Sequence, residues 1–89
     1  MVVCLVEDDA TVLSLLAELL QRHKHDPRPV LISNSDTVKS GLDRMAATEA
    51  RVVVMDLGMP VHGLDLLEAA HQDPRFADVR FVVATVSRK

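Results

Sequence analysis

Cysteine, aromatic residues and glycine are all scarce in this 89-residue chain. The single cysteine, Cys4, excludes an internal disulfide and a cysteine-built zinc site. A reduced, cytoplasmic location is the default expectation. Trp and Tyr are absent and Phe76 and Phe81 are the only aromatics, so platforms for base stacking are lacking. The net charge of −3 offers no positive field for a phosphate backbone, and direct nucleic-acid binding is not expected. The longest strictly apolar run, Met1 to Val6, is six residues, against the ~20 that a membrane-spanning helix needs, so no membrane role is expected. It runs directly into Glu7-Asp8-Asp9, with no basic start and no small-residue cleavage site, and does not read as a secretory signal.

What is present is a folding composition, 48% hydrophobic and 26% charged. A chain of this length reads as one domain that buries about 60% to 70% of its unfolded surface. Short apolar runs alternate with longer amphipathic stretches. Val2 to Val6 reads as a strand buried on both faces, Val52 to Met55 as another buried strand, and Val30 to Ile32 and Phe81 to Ala84 as the second and fourth strands. Between the first two strands, Val12, Leu15, Leu16, Leu19 and Leu20 recur at helical spacing, with Leu13 widening the face. Asp9 or Thr11 is placed to cap that helix, and His23 to Pro29, with its two prolines, reads as the loop that ends it. Ser33 to Asp36 carries the cap chemistry of a second helix marked by Val38, Leu42, Met45 and Ala46. Gly41 sits beside that face, where its missing side chain admits a close neighbour. Leu64, Leu67 and His71 mark a third helix, flanked by Leu66 and Ala70 and closed by Asp73-Pro74. The order βαβαβαβ, with strands that are apolar throughout, predicts an α/β fold with a parallel sheet covered on both faces and right-handed crossovers.

In such open sheets the working residues gather at the carboxyl ends of the strands. Glu7, Asp8 and Asp9 follow the first strand, Asp56 the third and Thr85 the fourth. If the first and third strands are neighbours, Asp56 meets the acidic cluster. Carboxylates ~4 Å apart repel by roughly 4 kcal/mol per pair at an effective dielectric of about 20, so compensation is needed. An oxygen-only donor set suits Mg²⁺. A carboxylate can also be the nucleophile towards phosphorus, with a hydroxyl such as that of Thr85 donating to the phosphoryl group.

Taken together, Leu5-Val6-Glu7-Asp8-Asp9, Val54-Met55-Asp56-Leu57-Gly58-Met59-Pro60, the downstream Gly63 and Val83-Ala84-Thr85 resemble the receiver domain of bacterial two-component response regulators. The spacings fit as well, with Asp56 lying 49 residues after Glu7 and Thr85 lying 29 after Asp56. The likeness covers nearly the whole chain. It implies a flavodoxin-like, doubly wound sheet of strand order 2-1-3-4. The fifth strand and last helices of the family lie beyond residue 89, so residues 1–89 are expected to be a receiver incomplete at its C-terminus.

The resemblance further implies that Asp56 is the phosphoacceptor, taking a phosphoryl group from a sensor histidine kinase or phosphotransfer protein. Glu7 and Asp8 match the acidic pair that holds Mg²⁺, together with Asp56 and the backbone carbonyl of Gly58. Thr85 matches the hydroxyl that contacts the phosphoryl group and starts the switch, and Met59-Pro60 shapes the loop beneath the site. On this reading the chain is a phosphoprotein module assisting its own phosphorylation and dephosphorylation, not an enzyme with turnover.

Three departures accompany the likeness. The loop from Met59-Pro60 to Gly63 is one residue shorter than the family pattern, and His23 to Pro29 is long for its place. Lys89 stands only four residues past Thr85, too close to match the family's site lysine. These departures motivate a second reading, a degenerate receiver that binds proteins independently of phosphorylation. A third reading, an aspartyl phosphatase, wants a general acid two residues after the nucleophile. That position is Gly58, which has no side-chain proton to give. The fourth strand is expected to be an apolar edge, which points to pairing, with a homodimer as one form. Simpler roles suit the remaining residues: Asp9 a helix cap, Cys4 and the methionines packing, His62 a loop residue, and His23 and His25 a solvated helix end.

Overall fold

The computed structural model describes residues 1–59 and 62–84. The chain runs β1 (Val2–Glu7), α1 (Ala10–Arg22), β2 (Asp26–Leu31), α2 (Val38–Ala47), β3 (Val52–Asp56), α3 (Gly63–Gln72), a single 3₁₀ turn (Pro74–Phe76) and β4 (Arg80–Ala84). The strands form one parallel sheet in the order β2-β1-β3-β4, as the receiver resemblance implied. Register places Leu5 beside Val54 and Asp56 beside Ala84.

The two faces divide by residue parity, as alternation along a strand requires. Cys4, Val6, Val53 and Met55 turn towards α2 and α3, where they join Leu42, Met45, Leu66 and Ala70 in the main core. Val3 and Leu5 turn towards α1 and bury Leu13, with Ala17, Leu20, Val52 and Val54 packed around them. Cys4 is fully buried in the main core, and burial pushes its thiol up to about 11, so it packs as a small apolar residue.

Local chemistry sets the helix boundaries. The Asp9 carboxylate accepts from the N–H groups of Thr11 and Val12 and caps α1. Thr37, not the preceding serines, caps α2 through a reciprocal box with Ser40. A Cβ on Gly41 would stand 2.7 Å from a Leu66 methyl carbon, so the glycine lets α2 and α3 approach closely.

Two sequence expectations need correction. The prolines expected in a loop belong to β2, which starts at Asp26 and leaves only 23–25 as the connection. The ladder explains why this is allowed. Asp26 N–H donates to Met1 O and Ile32 N–H to Glu7 O, so even-numbered residues of β2 face β1 and odd-numbered ones face away. Pro27 and Pro29 occupy outward positions, where an N–H has no ladder partner to lose. The second correction concerns helix faces. On α1 the sheet-facing residues are Leu13, Ala17 and Leu20, while Leu15, Leu16 and Leu19 of the expected face are exposed. On α3 the buried positions are Gly63, Leu66 and Ala70, and Leu64 is exposed. Both stripes are wide enough for more than one orientation, and the sheet selects one. β4 lies at the sheet's edge among the described residues, as expected, with Val82 50% and Val83 41% exposed.

Candidate functional site

The carboxyl ends of β1 and β3 are adjacent because β3 pairs directly with β1. Glu7 and Asp8 at the end of one strand therefore meet Asp56 at the end of the other. One carboxylate oxygen from each lies within 4.8 Å of the others. Glu7 is 2% exposed and Asp56 8%, so two acidic side chains have lost nearly all their solvent. Both line a small cavity of about 140 Å³ with Val12 and Leu16 of α1, Val54 of β3 and Ala84 of β4.

Local hydrogen bonds orient the group. Gly58 N–H donates to Asp56 Oδ1 at 2.7 Å, which turns the carboxylate back over the loop that follows β3. Asp8 N–H donates to Glu7 Oε2 at 3.0 Å. The loop itself is anchored from below, since Met59 is buried in the main core. Beyond the loop, Gly63 opens α3 against the chain just past the site. A Cβ there would stand 3.3 Å from the Asp56 carbonyl oxygen, a backbone atom that cannot swing aside. His62 precedes it at φ 63°, in the left-handed region, and serves as the N-cap residue of α3 without a side-chain cap.

The electrostatics show the cost of this crowding. Burial pushes the Glu7 carboxyl up to about 7. The Asp8 N–H pulls it down, while the Asp56 charge, a hydrogen bond with Asp56 and the Asp8 charge all push it further up. Near neutrality the proton on Glu7 relieves part of the repulsion that a divalent cation would otherwise relieve. A set of carboxylate oxygens, close together and depleted of water, fits a hard cation of the Mg²⁺ type.

The structure thus brings Glu7, Asp8, Asp56 and the Gly58 backbone to one place. Asp9 is engaged as the α1 cap. Thr85 and Pro60 lie outside the described residues, as do Lys89 and part of the shortened loop. Sequence reasoning missed the apolar lining supplied by Val12, Leu16 and Ala84. The Asp56–Ala84 register would have pointed to the last of these, but the α1 residues depend on how that helix is rotated. A larger groove of about 410 Å³, formed by Leu67, Glu68, His71, Gln72 and Phe81, includes none of the clustered carboxylates.

No protein-family profile matches the sequence, and neither does a curated protein. Solved structures do match. A sensor protein from Polaromonas sp. JS666 superposes with a TM-score of 0.80 at 24% identity, over 97% of this chain and 66% of that one. The N-terminal domain of a response regulator receiver protein from Methanoculleus marisnigri JR1 gives 0.76 at 22% identity, over 92% and 63%. A response regulator protein from Burkholderia multivorans gives 0.61 at 27% identity, over 96% and 65%. This chain therefore spans just under two thirds of the length of each. Its four-stranded sheet, order 2-1-3-4 with alternating helices, has the flavodoxin-like architecture of receiver proteins.

Proposed function

We propose that this chain, with its receiver fold, is the phosphoacceptor module of a two-component phosphorelay. The observation that carries the reading is the convergence of Glu7, Asp8 and Asp56 at the carboxyl ends of adjacent strands. Likeness to a sensor protein and to response regulators supports placing it in two-component signalling, with a sensor histidine kinase or phosphotransfer protein as donor.

Asp56 is the nucleophile. One of its carboxylate oxygens attacks the phosphorus of a phosphohistidine, forming an O–P bond as the N–P bond breaks, and the nitrogen leaves with the electron pair. Gly58 N–H holds Oδ1 and orients the carboxylate for this attack. Glu7 and Asp8, with Asp56 and the Gly58 carbonyl, would hold Mg²⁺. When bound, the cation supplies charge that offsets the anionic oxygens of the incoming phosphoryl group. Burial of Glu7 and Asp56 strengthens every charge interaction there by excluding water. Thr85 completes the assignment as the hydroxyl that contacts the phosphoryl group and biases a switch. The module works as a cytoplasmic phosphoprotein and carries out no multiple-turnover catalysis.

Incubation with acetyl phosphate and Mg²⁺ tests this directly. Intact-mass measurement should show a gain of one phosphoryl group, which Asp56→Ala abolishes. An unchanged gain in the variant sinks the assignment. If neither protein gains mass, the chain is a binding module that has lost phosphotransfer.

A further inference from the structure

β2 is the outer strand on its side of the receiver sheet, because the family's fifth strand adds beyond β4 at the opposite side. An outer strand is a template for another extended chain. The ladder fixes which backbone groups it can offer. Asp26 N–H donates to Met1 O and Ile32 N–H to Glu7 O, so the backbone groups of residues 27, 29 and 31 point outward. Pro27 and Pro29 have no N–H. The Leu31 carbonyl oxygen accepts from Arg44 Nη1 of α2 at 2.8 Å. The same nitrogen stands 3.3 Å from both Asp36 carboxylate oxygens. Asp36 is itself fixed by the Ser33 N–H at 2.9 Å and the Ser40 hydroxyl at 3.1 Å. Of the six outward backbone groups, two donors are therefore absent and one acceptor is already engaged.

We propose that this edge is closed to strand addition by two devices acting together. The prolines remove the donors along its middle, and Arg44 straps the acceptor at its end. Pairing with a second copy shows how much they remove. An antiparallel pair centred on residue 29 sets 27 opposite 31 and 29 opposite its own counterpart, each pair exchanging two hydrogen bonds. Of the six bonds in that arrangement, four need an N–H at position 27 or 29. Two of those four would end on the Leu31 oxygens that Arg44 occupies. Any other extended peptide meets the same gap. Asp26 and Arg28, paired at 2.8 Å, add exposed charge beside the strand. A partner on this side of the sheet must then be recognised through side chains, since its backbone cannot be added as a fifth neighbour of the ladder. The closure rests on the sheet alone and does not depend on phosphotransfer at Asp56.

Restoring the donors tests this. Pro27→Val with Pro29→Thr should keep the far-UV circular dichroism of the parent. In sedimentation velocity up to about 1 mM, it should self-associate at concentrations at least about tenfold below any at which the parent does. Hydrogen exchange should place that association at β2, with the new amides at 27 and 29 exchanging freely when dilute and slowly when associated. Arg44→Ala added to this pair should tighten association further, by about threefold or more, because it frees the Leu31 oxygens. Pro29→Thr alone restores the central donor and carries the same test should the double variant fail to fold. A folded variant that associates no more than the parent, or that associates with amides 27 and 29 still exchanging freely, overturns the proposal. No added effect of Arg44→Ala overturns the role given to the strap.

Discussion

The sheet presents the same strands to both of its faces, yet the faces are not equally closed. Towards α2 and α3, Cys4, Val53, Met55, Met45 and Leu66 are all nearly or fully buried, and Gly41 lets the two helices draw together over them. Towards α1, the buried apolar cluster among the described residues is only Val3, Leu5 and Leu13, while Leu15 and Leu19 are 61% and 51% exposed. The well-packed face holds β1 and β3 side by side from beneath. The acidic site lines a cavity on the less covered face, where α1 supplies Val12 and Leu16. Among the described residues, the acidic site thus sits on the face that α1 covers, opposite the larger core.

The largest expected effect probes that division. Leu66→Ala should cost about 2–5 kcal/mol in urea unfolding, because it removes a fully buried side chain and leaves a cavity between α2 and α3. The same truncation at Leu19 should stay within about 0.5 kcal/mol. Equal costs would mean that the outer stripe of α1 is covered in solution, and the contrast between faces would fail. Gly41→Val should follow at about 1–3 kcal/mol, since the added methyls have only Leu66 and its neighbours to displace.

A smaller effect concerns the site. Mg²⁺ at about ten times its Kd should stabilise the protein by roughly 1.4 kcal/mol, read as a rise in Tm, and Asp8→Asn should erase most of that rise. No rise would remove the metal from the proposed chemistry.

The last is a slope with pH. Without divalent metal, the folded protein keeps the Glu7 proton up to about pH 7, whereas the unfolded chain releases it near the ordinary value of 4.5. The folded state therefore binds more protons between these limits, and this group's contribution to stability falls as pH rises through the window. Glu7→Gln should flatten that part of the stability–pH profile. The Mg²⁺ effect should run the other way, being larger at pH 8 than at pH 6, because a protonated Glu7 is a poor ligand.

Much of this was legible before any coordinates. Continuous β-branched runs marked β1 and β3, and polar residues at their carboxyl ends marked the site. Asp9 was correctly read as a cap. Gly41 was correctly read as a point of close approach, although its neighbour, Leu66, lies in another helix. β2 was misread because proline usually breaks a strand, and its tolerance depends on which way each backbone N–H points. The faces of α1 and α3 were misplaced by a fraction of a turn, because a leucine-rich helix has several apolar stripes and its own periodicity does not choose among them.

The sequence by itself determined the chemistry that could gather at the strand ends and the alternation that makes a parallel sheet, because both depend on residue type and order. Only the tertiary structure decided how deeply Glu7 and Asp56 are buried, which stripe of each helix meets the sheet, and how prolines 27 and 29 fit into a strand by facing away from β1. Those outcomes depend on register and on contacts between residues far apart in the chain, which local patterning does not encode.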